Sequence, residues 1–110
     1  MKKIRADILA INANAKFIWL TPLKRSNYEV ENVAGNYLQD YRDAISNLAR
    51  FNGDEVIDQF TSGLNPTNPI INTNFFISAD GLHPNDKAHK AHVFRFVAPQ
   101  IKPILESIAN

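Results

Sequence analysis

A chain of 110 residues with 45% hydrophobic and 21% charged side chains holds enough apolar material for one small globular domain, and too much for disorder along its whole length. Twelve basic against eleven acidic residues leave a formal charge of +1. The basic residues are scattered, with no run beyond Lys2-Lys3 and Lys24-Arg25, so neither nucleic acid nor an anionic lipid surface is expected as a partner.

Cysteine is absent, which excludes disulfides, thiolate catalysis and Cys-based zinc sites but does not fix a compartment. No apolar run approaches the roughly 20 residues of a membrane span. Met1-Lys2-Lys3 resembles the basic head of a signal peptide, and Asn12-Ala13-Asn14-Ala15 offers small residues for cleavage. Asp7 breaks the apolar stretch, however, and Ile8-Leu9-Ala10-Ile11 is short for an h-region. An opening amphipathic helix is the better reading, and the cellular location stays open.

Ile4, Ile8 and Ile11 recur at steps of four and three, which predicts a helix over residues 3–13 with one apolar stripe. Lys16-Phe17-Ile18-Trp19-Leu20-Thr21 is nearly continuous in apolar character, as in a strand of a parallel sheet buried on both faces, and Pro22 ends it. Residues 23–34 are polar and read as a loop. From Gly35, Tyr37, Leu38, Tyr41, Ala44, Ile45, Leu48 and Ala49 keep a helical stripe that Asn52-Gly53 stops.

Glu55-Val56-Ile57-Asp58 is a second short strand. Residues 60–79, with Gly63, Pro66 and Pro69, read as a long loop with one strand-like piece at Phe75-Phe76-Ile77. Loops of that length in a compact domain are usually functional. After His83-Pro84 the chain is helical to its end. Ala88, Ala91, Phe94 and Ala98 form its stripe, Val93, Phe96 and Val97 widen it, and Pro99 and Pro103 are expected to kink it. Helix, strand, helix, strand, loop, helix is the order of an α/β layer structure with a parallel sheet.

Asp80-Gly81-Leu82-His83-Pro84-Asn85 is the segment that carries chemistry. A carboxylate that accepts the Nδ1 proton of an imidazole fixes its tautomer and leaves Nε2 free to deprotonate a nucleophile. Two intervening residues let Asp80 and His83 meet across a tight turn, and Gly81 lets that turn bend. Pro84 disfavours the helical conformation at His83, so the ring should project from the loop, and Asn85 or Asp86 can cap the closing helix.

This segment resembles the last motif block of the SGNH/GDSL-type serine hydrolases, a family of esterases and lipases in which the Asp and His of the triad stand three apart before the final helix. Ala15-Lys16-Phe17-Ile18-Trp19-Leu20-Thr21-Pro22 resembles the family's fourth strand and its Thr-Pro exit. Tyr41-Arg42-Asp43-Ala44-Ile45 resembles the helix that follows, and Ser62-Gly63-Leu64-Asn65-Pro66 the loop that leads to the Asp/His block. The likeness covers nearly all of residues 1–110, but only the C-terminal half of the family's domain.

The resemblance implies a flavodoxin-like three-layer α/β fold, represented by two parallel strands and flanking helices. It implies Asp80 and His83 as catalytic residues, esters such as acylated carbohydrates or lipids as substrates, and no cofactor or metal. The family's Gly-Asp-Ser nucleophile segment, oxyanion-hole glycine and Gly-x-Asn-Asp block do not occur here; Gly53-Asp54-Glu55 comes nearest and has no hydroxyl. The serines are Ser26, Ser46, Ser62, Ser78 and Ser107, and none stands at a nucleophile turn, though Ser62 and Ser78 lie in the active-site loop region.

The chain alone is therefore expected to be inactive. A complementing N-terminal half, or self-association through the exposed strand at 16–21, would cover the open strand edge. Met1, before a helix that is internal in the family, fits an internal start. Two other readings stay open. Asp80, His83, Asp86, His89 and His92 contain metal-ligand types, at spacings that fit no familiar zinc signature. A degenerate domain that only binds carbohydrate or a partner could use Phe17 and Trp19 for stacking, although in an apolar strand both fit a core better.

Overall fold

The parallel ladder forms where two apolar segments meet. Strand β1 (Ile18–Leu20) pairs with β2 (Glu55–Ile57) in a computed structural model that describes residues 1–109. Ile18 lies opposite Glu55, Trp19 opposite Val56 and Leu20 opposite Ile57. Both strands are shorter than the apolar runs suggest, but ladder-like bonds continue beyond them. Glu55 N–H donates to Phe17 O and Thr21 N–H to Ile57 O, each at 3.1 Å, so Phe17 to Thr21 is tied along its length.

Helix α1 (Lys2–Ile11) precedes β1, and α2 (Leu38–Phe51) connects the strands and packs on both. The Asp40 carboxylate accepts the Tyr37 N–H at 2.7 Å, which caps α2 and begins it three residues later than Gly35. Gly53, at φ +73°, turns the chain out of α2 and into β2. Ile57 and Thr21 are fully enclosed where the strands end, with Ala49, Phe60, Phe76, Ala88 and Val97 completing a small core.

The stretch predicted as a long loop is more ordered than that. A 3₁₀ turn (Gln59–Thr61) follows β2, and α3 (Pro69–Phe75) lies within it. Asn68 caps α3 by accepting from Ile70 and Ile71 N–H, and Pro69 occupies the first helical position, where its missing donor costs nothing. The strand-like piece reduces to one antiparallel bridge, Phe76 with Pro84, while Ile77–Ala79 is a tight turn with Ser78 and Ala79 left-handed.

The last segment comprises α4 (Asp86–His92), a π-helical stretch (Val93–Val97) and α5 (Ala98–Ala109). In place of a kink at Pro99, the turn before it widens, and Ala98 N–H donates to Val93 O, five residues back. Pro99 has no N–H for Arg95 O and its ring crowds that carbonyl, so the extra residue relieves the clash. Pro103 is accommodated inside α5.

The apolar stripe predicted for α1 does not face the core, and that of the closing helix faces it only in part. Ile4, Ile8 and Ile11 of α1 are exposed, Ile11 at 89%; Arg5 and Leu9 turn inward instead. In the closing helix Ala88 is buried and Ala91 half-buried, but Phe94 is 76% exposed and Ala98 is exposed; the packed side runs through Ala88, His92, Phe96, Val97, Gln100 and Ile104. Periodicity identifies apolar faces but not which neighbour meets them, and the described residues leave these without a cover.

Candidate active site

The turn at residues 80–83 brings together the two groups singled out from the sequence. His83 Nδ1 lies 2.6 Å from Asp80 Oδ2. The other carboxylate oxygen, Oδ1, accepts the N–H groups of Leu82 and His83, both at 2.8 Å. An ionised carboxylate is an acceptor only, so Nδ1 carries the hydrogen. Nε2 then has its lone pair free on a side chain that is 66% exposed, and no partner engages it among the described residues.

Several backbone ties hold this turn. Gly81 adopts φ +66°, and Ser78 and Ala79 are also left-handed, at 51° and 52°. Non-glycine residues in that region cost free energy and persist where surrounding contacts over-determine them. Those contacts are Ile77 N–H to His83 O at 2.8 Å, Asn72 Nδ2 to Ala79 O at 2.8 Å, and Asn85 Nδ2 to Asn74 O at 3.0 Å. Asn85 Oδ1 also accepts Ala88 N–H and caps α4, as the sequence suggests.

The Asp80 carboxyl is held far down, to about 2. The His83 N–H contributes most, then the Leu82 N–H, then the His83 ring. Asp80 thus stays anionic throughout the range in which an imidazole titrates, as an orienting carboxylate requires.

No serine hydroxyl reaches His83 among the described residues. Ser62 Oγ is buried without a partner, and Ser78 sits on the strained turn before Asp80. Ser26, which motif reasoning passed over, is the serine brought against the turn. Its N–H donates to Gly81 O at 2.8 Å, and its hydroxyl goes to Asn27 Oδ1 at 2.9 Å.

Asp80, His83, Asp86, His89 and His92 do not converge as ligands; among the described residues no three His, Asp or Glu side chains gather around one point. His92 is engaged elsewhere, its Nε2 donating to Gln59 Oε1 at 2.7 Å. Gln59 passes this on to Thr21 O at 2.9 Å, and Thr21 Oγ1 donates to Asp58 Oδ1 at 2.7 Å. That chain joins α4 to the ends of both strands. Trp19 and Phe17 are not a free stacking platform. Their rings lie nearly parallel with centroids 5.9 Å apart, Trp19 Nε1 donates to Asp54 Oδ2 at 2.8 Å, and Arg5 covers Phe17 at 5.1 Å.

Two parallel strands with flanking helices make this an α/β chain. A protein of known crystal structure superimposes on 86% of it with a TM-score of 0.76 at 23% identity, a likeness of fold. The chain spans 47% of that protein's length. No family model matches the sequence, and no curated protein does. Among the described residues no helix is long and apolar enough to cross a membrane.

Proposed function

We propose that this chain supplies the acid–base pair of an SGNH/GDSL-type serine ester hydrolase, as the C-terminal portion of a flavodoxin-like three-layer α/β domain. The observation that carries the reading is one clamped carboxylate bracing one exposed imidazole, 2.6 Å apart. Support for the finer fold is the helix–strand alternation, the parallel ladder and the likeness to a structure about twice as long.

In this reading a serine hydroxyl from a complementing segment donates its proton to His83 Nε2 as its oxygen attacks the ester carbonyl. Asp80 holds the ring and stabilises the imidazolium that results. Collapse of the tetrahedral intermediate breaks the ester C–O bond, and the imidazolium hands its proton to the departing alcohol. Water, deprotonated by His83, then attacks the acyl-serine; the bond from the acyl carbon to the serine oxygen breaks, the imidazolium returns its proton to that oxygen, and the acid leaves. The substrates are esters of the acylated-carbohydrate or lipid kind, and the chemistry needs no cofactor. A complementing N-terminal half, or a second copy packed along residues 16–21, would cover the open edge of β1.

The test is complementation. Co-expression with the N-terminal half of a family enzyme that carries Gly-Asp-Ser should produce aryl-acetate hydrolysis that neither part has alone. His83→Ala should abolish it. Hydrolysis indifferent to that substitution, or no hydrolysis from a complex shown to assemble, rejects the reading.

A further inference from the structure

Residues that follow β1 reach across to the Asp80–His83 turn at one point. Ser26 N–H donates to Gly81 O at 2.8 Å. The approach is close enough to exclude a side chain. A Cβ placed on Gly81 would lie 2.6 Å from Ser26 Cβ and 2.9 Å from its Oγ, distances at which atoms must move. Gly81 is thus required twice, for its φ of +66° and for its missing side chain.

The Gly81 peptide is the centre of the turn. Leu82 N–H and His83 N–H, which clamp Asp80 Oδ1, follow directly from it. Gly81 O and Leu82 N–H share one peptide plane, so rotating it swings the Leu82 N–H off Asp80 Oδ1 and shifts the His83 peptide and ring that follow. On the opposite side Asn72 Nδ2 holds Ala79 O, so the turn is pinned from two elements outside itself.

We propose that Ser26 is a positioning residue for the His83 imidazole, acting through its hydrogen bond to, and close seat on, Gly81. The proposal rests on the reading of Asp80 and His83 as the acid–base pair, and concerns how the pair is kept in register. Ser26 touches neither group; it sets the peptide whose N–H groups set Asp80.

Nitrogen NMR of the histidine rings in the full chain, at a pH where the rings are neutral, tests this. In the wild type, His83 should be the Nδ1–H tautomer, with a slowly exchanging low-field ring proton. Ser26 is the second residue of the turn Arg25–Tyr28, closed by Tyr28 N–H to Arg25 O at 3.1 Å, a position proline tolerates. Ser26→Pro therefore keeps the turn, deletes the donor and sets its ring Cδ against Gly81 O in place of the hydrogen. It should cost His83 both the ring proton and the Nδ1–H preference, with His89 and His92 signals unchanged as internal controls.

Gly81→Ala should do the same, and Ser26→Gly in that background should recover the ring proton, because it removes the atoms the new Cβ meets. If Gly81→Ala unfolds the chain, as the His89 and His92 signals would report, Ser26→Pro still decides. A Ser26→Pro chain with the wild-type ring signature overturns the proposal. The readout is a tautomer and not turnover. An intact wild-type signature without activity on complementation therefore sinks the enzymatic reading alone, and an unaltered Ser26→Pro sinks this one alone.

Discussion

Asp80 shows how three amino-acid types at fixed spacing create a charge state. A carboxylate followed by a glycine in the left-handed region turns its own Oδ1 toward the backbone N–H groups two and three residues on, so it is solvated by the chain itself. Its folded value near 2 lies below the ordinary 3.8, so it contributes stability above pH 4 and loses it as pH falls from 4 toward 2. Asp80→Asn should reduce complemented esterase activity by on the order of 10⁴, the cost of losing the correct tautomer in a serine-protease triad. The same variant should flatten the acid limb of a stability profile between pH 4 and 2. Denaturant midpoints at those two values would check it.

At the scale of elements, two polar connections hold helices to the sheet. Arg5 of α1 grips Asp54 through Nε at 2.8 Å and Nη2 at 2.9 Å, and Trp19 of β1 donates to the same carboxylate. The Asp54 side chain is only 6% exposed, and its pKa is lowered first by the Arg5 hydrogen bonds, against a desolvation that raises it. Asp54→Ala leaves Arg5 and the indole N–H without their acceptor and should cost on the order of 2–3 kcal/mol. A urea titration against wild type measures it.

His92 makes the second connection, through Gln59. Partial burial and then the neighbouring His89 lower its pKa below 6.5. Between its folded value and 6.5 the unfolded chain binds more protons, so stability rises with pH there and is diminished once pH falls below that window. His92→Gln can still donate to Gln59 and does not titrate. Its denaturant midpoint should therefore change less than that of the wild type between pH 7.5 and 5.5.

The whole molecule is open for its length. Its radius of gyration is 16.0 Å, where a folded chain of this size averages roughly 13 Å, and its extents are 45 × 34 × 19 Å. Its accessible surface of 7518 Å² exceeds the roughly 6,100 Å² typical of a monomer of its mass. The excess has the scale of one side of a standard protein interface, about 800 Å² or more. It coincides with the exposed isoleucines of α1, with Leu105 and Ile108 of α5, and with a β1 edge unpaired among the described residues. Such an edge templates association, and an edge lysine opposes it. Leu20, 41% exposed, is the place to put one. Leu20→Lys should shift the chain toward monomer in sedimentation velocity while leaving helix content unchanged.

Much of this was legible before any coordinates. Hydrophobic period located α1, α2 and the closing helix, and a short continuous apolar run ended by Pro22 located β1, because backbone geometry imposes these patterns locally. The Asp80–His83 contact was legible too, since a three-residue spacing with a glycine inside it lets the two groups meet across a tight turn, although the outside contacts that hold that turn were not. α3 was missed because Asn68-Pro69, a capping pair, looks like a turn among other prolines and glycines. The turn before Pro99 was expected to kink because a proline's clash with the carbonyl four residues back does not say how the helix relieves it. Tertiary structure alone decided which apolar faces meet a neighbour and that Ser26 presses on Gly81. Each of these depends on where distant segments arrive in space. Residue order specifies local geometry through short-range sterics and hydrogen bonding, whereas contacts across the fold exist only once the whole chain has packed.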